Sequence, residues 1–154
     1  MEQIVRCDFE NSEHVHAFLD LLQHYMEDPM GDYPVHDEQK NQQLIEGLAG
    51  NEKAFVVFVC VDNQFVGMST CFELFSTFQV KPYVYVHDVV IRRDFRGRGL
   101  GRVLLLGVES IAREIDACKV TLEVRTDNPV AQSLYSGLGF AAGDPEMLFW
   151  YKLL

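Results

Sequence analysis

Apolar residues recur at two different periods along this chain, and the two periods predict a protein of mixed helices and strands. Val15, Phe18, Leu19 and Leu22 follow the three- and four-residue spacing of one helix face. The same spacing, together with capping residues, predicts further helices later in the chain. The predicted helices run from Asn11 or Ser12 to about Tyr25, from Asp37 to near Leu48, from Gly99 to about Glu114, and from Asn128 to the residue before Gly139.

Strands are predicted where β-branched and aromatic residues dominate short runs. Ala54–Val61 and Phe65–Phe75 are such runs, and the turn at residues 62–63 between them predicts an antiparallel hairpin. The other predicted strands are Ile4–Arg6, Tyr83–Ile91, Lys119–Val124, Phe140–Ala142 and Leu148–Leu153. A strand–helix–strand crossover in the middle of the chain predicts one mixed sheet. Since the 154 residues contain no repeat, low-complexity tract or Pro/Ser-rich linker, we expect a single domain over residues 1–154.

Bulk composition narrows the class of protein. Hydrophobic residues make up 48% of the chain, which is enough for an ordinary core without disulfide or metal staples. No apolar run reaches the roughly 20 residues of a membrane span. The first four residues also lack the basic-then-apolar layout of a signal peptide. We therefore expect a cytoplasmic protein that does not enter a membrane.

The charge balance is strongly acidic, with a formal net charge of -10. Nucleic-acid binding needs a basic face, so we expect no nucleic-acid partner. The acidity is compatible with a cationic substrate, but it also suits a well-solvated protein of any function. The histidines show no metal-ligand spacing and the cysteines form no C-x-x-C pair, so we expect no metal and free, mostly buried thiols. The cysteines are Cys7, Cys60, Cys71 and Cys118.

Positive charge is concentrated in one short segment of this acidic chain. Five arginines fall between Arg92 and Arg102, interleaved with glycines at positions 97, 99 and 101. The segment joins a predicted strand to a predicted helix, and backbone N–H groups at such a helix start bind phosphates. Its spacing is neither the dinucleotide fingerprint nor a P-loop. The pattern favours an anionic cofactor held by the backbone; a solvated arginine-rich turn is the alternative.

The segment Val89–Gly101 resembles the acyl-CoA pyrophosphate loop of the GNAT superfamily of N-acetyltransferases. Leu122–Val124, Asn128 and the residues from 131 to 140 are similar to the second motif of that family, in the same order and at the same spacing. The resemblance implies an α/β (α+β) fold with a mixed, mostly antiparallel sheet, flanked by about four helices. The sheet would splay between its two central strands, residues 83–91 and 119–124. The nearest likeness is to the polyamine and diamine branch.

The resemblance also implies that acetyl-CoA is the cosubstrate. Backbone amides at positions 98, 99 and 101 would cradle its pyrophosphate, with Arg96 nearby. Amides around Val89 and Ile91 would bond the pantetheine and polarise the thioester carbonyl. Asn128 would bond the cofactor arm, although an asparagine there can also simply cap a helix. The implied cofactor-binding residues are Val89, Val90, Ile91, Arg96, Gly97, Arg98, Gly99, Leu100, Gly101, Asn128 and Ala131.

Two residues are candidates for proton transfer. In the GNAT family a tyrosine at the position of Tyr135 commonly protonates the departing thiolate, and the reference pKa of tyrosine, about 10, suits donation at neutral pH. His87 stands where polyamine-type members carry a glutamate, and a histidine base can deprotonate an incoming ammonium ion. The alternatives are a packed aromatic ring and a strand histidine bonded to backbone. Asp88 follows His87, and in an ideal strand it would point to the opposite face.

The acidic loop after the first predicted helix is the candidate acceptor region, since this part of the chain covers the acceptor pocket in the family. Its carboxylates could attract a cationic substrate, or could simply be solvated. The candidate substrate-binding residues are Glu27, Asp28, Asp32, Tyr33 and Tyr85. We expect acetyl transfer by direct attack to a small amine: a diamine, polyamine or amino-sugar. The alternatives are a protein or peptide N-acetyltransferase, which needs an open groove, and a non-catalytic acyl-CoA sensor. A homodimer through the 72–78 region is a further expectation.

Overall fold

The computed structural model describes all residues from Met1 to Leu154. Its strands and helices, in chain order, are β1 (Glu2–Arg6), α1 (Ser12–Met26), α2 (Glu38–Ala49), β2 (Ala54–Val61), β3 (Gln64–Ser76), β4 (Lys81–Ile91), α3 (Leu100–Glu114), β5 (Val120–Leu122) and α4 (Pro129–Gly137). A short 3-10 turn at Arg93–Phe95 follows β4. The chain folds as two compact units, residues 1–122 and 123–154. The single domain over 1–154 stays a prediction.

The first unit contains one five-stranded sheet in the order β1-β2-β3-β4-β5. The first four strands pair antiparallel, and β4 pairs with β5 in parallel. The predicted hairpin of β2 and β3 is present, with its turn at residues 62–63 in the left-handed region. The predicted class is therefore confirmed: a mixed, mostly antiparallel sheet accompanied by four helices.

Alternation along β2 shows how both faces of the sheet are covered. Val56, Phe58 and Cys60 enter a core cluster shared with α1 and α2. The intervening residues Val57 and Val59 are fully buried and point to the opposite face, because successive side chains of a strand alternate. Helix α3 packs against β2, β3 and β4 on that side. The sheet is thus the middle of three layers in this unit.

Three helices begin with the side-chain caps that their sequences predict. Asn11 accepts from the Glu13 N–H at 2.9 Å, and Asp37 accepts from the Lys40 N–H at 2.8 Å. Asn128 accepts from the Ala131 N–H at 3.1 Å in the same way. Helix α3 differs, because its N-cap is Gly99 and no side chain caps it. Its first-turn N–H groups are therefore not satisfied by a side chain of the cap residue.

The end of the chain differs from the prediction. Lys119–Val124 forms a strand only over Val120–Leu122, and neither Phe140–Ala142 nor Leu148–Leu153 forms a strand. The prediction of these closing strands was wrong, because β-propensity is a property of side chains, whereas a strand also needs a neighbouring backbone to hydrogen-bond. None of the helices combines the length and the apolar character that crossing a bilayer requires.

Candidate active site

A β-bulge in β4 decides which way the backbone amides of that strand point. The Val84 N–H donates to the Lys119 carbonyl at 3.1 Å, on the β5 side, whereas the Arg92 N–H donates to the Val66 carbonyl at 2.8 Å, on the β3 side. In a regular strand, positions separated by an even number of residues point the same way. The register shift at Thr70/Cys71, where His87 is the additional residue in β4, reverses this alternation. The N–H groups of residues 89 and 91 therefore point away from β3.

The parallel ladder between β4 and β5 ends early. Its last pair is Val86–Leu122, and β4 continues to Ile91 without a further β5 partner. The amides of Val89 and Ile91 thus lie on a stretch where the two strands no longer hydrogen-bond to each other. This early end of the ladder agrees with the splay between central strands that the resemblance implied, and it leaves these two N–H groups without a β5 partner. The Val90 side chain points into the α1/α2 core instead.

The glycine turn after β4 has the backbone shape that its sequence predicts. Gly97 and Gly99 have φ angles of 76° and 78°, a left-handed conformation that other residues rarely adopt. A Cβ placed on either glycine would meet no atom within 4 Å, so the space over the turn is open. The Gly99 carbonyl accepts from the N–H groups of Arg102 and Val103, which starts α3. Leu100 and Gly101 occupy the first two helical positions, whose N–H groups point out of a helix N-terminus.

Three arginine side chains around the turn, those of Arg92, Arg96 and Arg98, make contacts within the protein. Arg92 pairs with Asp20 of α1 at 2.9 Å. Arg96 donates from Nε to the Ile91 carbonyl at 3.0 Å and from Nη2 to Asp28 at 2.9 Å. Arg98 donates to the Asp94 carbonyl at 2.9 Å and lies over the Phe95 ring. Backbone amides of the turn and the N-terminus of α3 are groups that could hold a phosphate here.

Asp28 is the most buried of the predicted acceptor-side residues, with 5% of its surface exposed. Burial by itself raises the pKa of this carboxyl, but the Met30 N–H and the Arg96 and Arg93 guanidinium groups outweigh it, so the net pKa lies below its usual value. Asp28 is therefore a carboxylate whose charge is balanced by partners within the protein. Tyr33, in contrast, is 61% exposed, and its substrate role stays a prediction. Glu27 accepts from Gln23, and Asp32 has a left-handed φ of 44°.

His87 and Asp88 lie side by side at the bulge. The Asp88 carboxylate is 3.0 Å from His87 Nδ1, and the imidazole is 57% exposed while the carboxylate side chain is only 16% exposed. The rings of Phe72 and Tyr85 stand nearly perpendicular to the imidazole at about 6 Å. A histidine whose Nδ1–H donates to a carboxylate keeps Nε2 as its proton acceptor. The arrangement can orient a base at an accessible position.

Thr70 is a polar residue of this region that sequence reasoning missed. It is opposite Asp88 in the register of β3 and β4 and is 4% exposed. Its hydroxyl has no hydrogen-bond partner in the structure. Such a group costs free energy unless a ligand or water satisfies it, so Thr70 is a further candidate for contact with the acceptor.

The second unit contains the other predicted site residues. Tyr135 is half-buried on α4, with its ring 5.9 Å from that of Phe140. Asn128 caps this helix through the Ala131 N–H, so the capping role considered for it is present. Its binding of a cofactor, like the acid role of Tyr135, stays a prediction.

The sequence matches the pattern of the Acetyltransferase (GNAT) family over residues 16–140. It is 34% identical over 58 residues to a putative ribosomal protein bS18-alanine N-acetyltransferase of Bacillus subtilis, a match that covers 38% of each protein. It is 43% identical over 60 residues to the N-alpha-acetyltransferase RimI of Mycobacterium tuberculosis, covering 38% of this chain and 36% of that relative. The chain thus aligns with little more than a third of the length of these two curated relatives.

Similarity of fold extends much further than similarity of sequence. A crystal structure of a probable acetyltransferase superposes with a TM-score of 0.85 at 19% identity, covering 99% of this chain and 98% of that one. At this identity the likeness concerns the fold alone. Neither of the two curated relatives is named for a polyamine, so the predicted likeness to the polyamine branch gains no support from them.

Proposed function

The chain belongs to the acetyltransferase (GNAT) family, and from this premise we propose that it transfers an acetyl group from acetyl-CoA to the α-amine at the N-terminus of a protein. The observation that favours an α-amine is the exposed imidazole of His87 beside Asp88. Both curated relatives are named for N-terminal or alanine acetylation, in agreement with this acceptor. Acetyl-CoA, when bound, supplies the acetyl group as a thioester.

The residues around the β4–α3 turn suit a nucleotide with a pyrophosphate. Left-handed glycines at 97 and 99 leave open space over the backbone, and α3 begins without a side-chain cap. The first-turn amides of α3, at Leu100 and Gly101, would hold the phosphates. The N–H groups of Val89 and Ile91, directed away from β3 by the bulge, would hold the pantetheine arm and place a donor at the thioester carbonyl.

The acid–base roles follow from proton accounting. The attacking amine arrives as an ammonium ion and must lose a proton, for which His87 is the proposed base, oriented by Asp88. A protein α-amine has a reference pKa of about 7.7–8.0, whereas an alkylamine such as lysine has one of about 10.4. A histidine base is much better matched to the α-amine, since an α-ammonium group needs less free energy than an alkylammonium group to lose its proton at neutral pH. Tyr135 is the proposed donor of the proton that the leaving thiolate takes up.

The exposure of His87 supports a macromolecular acceptor. A base with more than half of its side chain in solvent is accessible to the end of a polypeptide, whereas a pocket for a small amine would enclose it. The net charge of -10 favours an acceptor protein that is basic, through long-range attraction. Phe72 and Tyr85, whose rings flank the imidazole, would contact the first residue of the acceptor.

A small cationic amine remains the second candidate, because the same net charge would attract it. The buried pairing of Asp28 with Arg96 weakens this candidate, since it removes the least exposed loop carboxylate from the set available to a substrate cation. The third candidate, an acyl-CoA sensor without turnover, requires neither His87 nor Tyr135.

The test is release of free thiol from acetyl-CoA with three acceptor classes. The first is a set of basic peptides with a free N-terminal alanine, each paired with the same peptide blocked at its N-terminus. The second is diamines and polyamines, and the third is amino-sugars. We expect turnover with the free peptides and none with the blocked ones, even when these contain lysine. Turnover restricted to polyamines or amino-sugars would refute the α-amine acceptor, and CoA binding without any turnover would favour a sensor.

A further inference from the structure

One face of α1 and its C-terminal extension contacts the segment between β4 and the glycine turn at three points. The contacting residues are Asp20 and His24, which share one face of α1, and Asp28, which lies just beyond the C-terminal cap of that helix. Asp20 pairs with Arg92 at 2.9 Å. His24 Nε2 accepts a hydrogen bond from the Arg93 N–H at 3.2 Å. Asp28 makes the third contact, with Arg96.

The Asp28–Arg96 pair is the most buried of these contacts. The Asp28 side chain is 6% exposed, and its Oδ2 lies 2.9 Å from Arg96 Nη2. Arg93 approaches the same oxygen at 3.7 Å. A carboxylate buried to this degree is costly without a cationic partner, so the conformation that buries Asp28 depends on Arg96 staying in place.

Asp28 also organises the loop that follows α1. Its Oδ1 accepts from the Met30 N–H at 3.0 Å, and its carbonyl accepts from the N–H groups of Gly31 and Asp32. A Cβ at Gly31 would clash with the Tyr25 carbonyl, so this loop folds tightly against the end of α1. The conformation of residues 28–32 is therefore built around the same carboxylate that holds Arg96.

Arg96 connects this carboxylate to the other side of the site. Its Nε donates to the Ile91 carbonyl at 3.0 Å, at the end of β4. The residue is thus bonded at once to the end of β4 and to Asp28, and it immediately precedes Gly97 of the turn. A displacement of the turn would move Arg96 away from the buried carboxylate of Asp28. A displacement of the loop would remove the Asp28 contact that holds Arg96 and, with it, the turn.

We propose that the Asp28–Arg96 ion pair is a positioning pair that couples acetyl-CoA binding at the 96–101 turn to the conformation of the acceptor-side loop, residues 28–32. The inference rests on the proposed function, because it takes that turn as the pyrophosphate site. Coupling is reciprocal: a ligand that stabilises the turn stabilises the loop by the same free energy. Neither residue needs to touch the reacting groups for this role.

The test combines calorimetry of CoA binding with hydrogen exchange of the loop amides, on the full chain at fixed ionic strength. The main variant is Asp28→Asn, which keeps an acceptor for the Met30 N–H and removes the charge. The matched control is Glu13→Gln, an equal charge change at an exposed position in the first turn of the same helix. Arg96→Gln and the double variant Asp28→Asn/Arg96→Gln complete a double-mutant cycle. The double variant removes both charges of the pair, so it leaves no unpaired buried charge and can be measured even if one of the single variants is too unstable.

We expect CoA to slow exchange at residues 30–32 in the wild type and in Glu13→Gln. Asp28→Asn should weaken CoA binding about tenfold and abolish the CoA-dependent protection, with the double variant no weaker than the worse single variant. Wild-type affinity in Asp28→Asn, or CoA-dependent protection that persists in it, would overturn the coupling while leaving the proposed function intact. If the wild type itself failed to bind CoA, the proposed function and the coupling would both fall.

Discussion

The carboxylate of Asp88 lies 3.0 Å from Nδ1 of His87, although the two residues are adjacent in a β-strand. Neighbouring side chains of a regular strand point to opposite faces and cannot meet in this way. The contact occurs because His87 is the additional residue of the bulge opposite Thr70/Cys71. The same bulge directs the amides of Val89 and Ile91 away from β3, so one irregularity serves both the proposed base and the proposed carbonyl donors.

If His87 is the base, replacing it with glutamine should lower kcat/KM about 10²-fold or more and remove the acidic limb of the pH–rate profile. The measurement is thiol release across the pH range with a fixed acceptor. Asp88→Asn is the comparison variant: it should lower kcat while leaving the KM for acetyl-CoA unchanged, because it disturbs the orientation of the ring only. An acidic limb that persists in His87→Gln would assign the base to another group.

Tyr135→Phe should lower kcat by about 10²-fold without weakening CoA binding, since the change removes only a hydroxyl. Steady-state kinetics together with calorimetry of CoA separate the two effects. A rate close to that of the wild type would show that the ring of Tyr135 only packs, as its contact with Phe140 allows.

Gly99→Val should abolish CoA binding, because valine is strained at a φ of 78° and its side chain would occupy the open space over the turn. The matched control is Gly47→Ala in α2, where a Cβ meets no atom within 4 Å and no positive φ is involved. We expect the control to bind CoA normally and to gain about 0.5–1 kcal/mol of stability. Unaltered CoA affinity in Gly99→Val would remove the phosphate role from this turn.

Thr70→Val should be neutral for stability or increase it by about 1 kcal/mol, because it replaces a buried hydroxyl without a partner by a methyl group of the same shape. If the hydroxyl serves the acceptor or a bound water, the KM for the acceptor should rise in the same variant. Denaturant unfolding and acceptor kinetics give the two readouts. A fall in stability would mean that the hydroxyl is satisfied in solution.

Asp28 should make folding stability depend on pH in a defined direction. The pKa of Asp28 is lower in the folded protein than in the unfolded chain. Its contribution to the free energy of unfolding is therefore fully present at a pH above the pKa of the unfolded chain, and is lost as the pH falls through the pKa of the folded protein. Asp28→Asn should therefore cost about 1–3 kcal/mol at pH 7, and this difference should shrink below about pH 4. Denaturant titrations of both proteins at the two pH values measure the change, and a pH-independent difference would contradict the argument.

Much of the local structure was predictable because its causes are local. The hydrophobic periods located the helices and the central strands to within a few residues, and Asn11, Asp37 and Asn128 cap helices where the sequence places caps. The glycines at 97 and 99 indicated a left-handed turn between β4 and α3, which is present. These features depend on side-chain size, branching and φ preferences, all of which are properties of short segments.

The remaining features depend on residues far apart in the chain. Periodicity along β4 alone did not reveal its bulge, because a bulge is a relation between two strands. The cluster of arginines between positions 92 and 102 favoured an anionic ligand, but nothing in the sequence indicated that Arg92 and Arg96 pair with carboxylates about 70 positions earlier in the chain. The four-residue spacing of Asp20, His24 and Asp28 was visible in the sequence, but nothing local indicated what that face would meet.

The amino-acid order by itself thus determined the elements, their caps, the glycine turn and the family resemblance. Only the tertiary structure decided which backbone amides face the gap beside β4, which carboxylate holds Arg96, and that the apolar C-terminal run forms no strand. The physical reason is that helix and strand propensities and caps depend on interactions within a few residues. Strand register and buried ion pairs, in contrast, depend on which distant segments hydrogen-bond to each other and which charged groups are buried together.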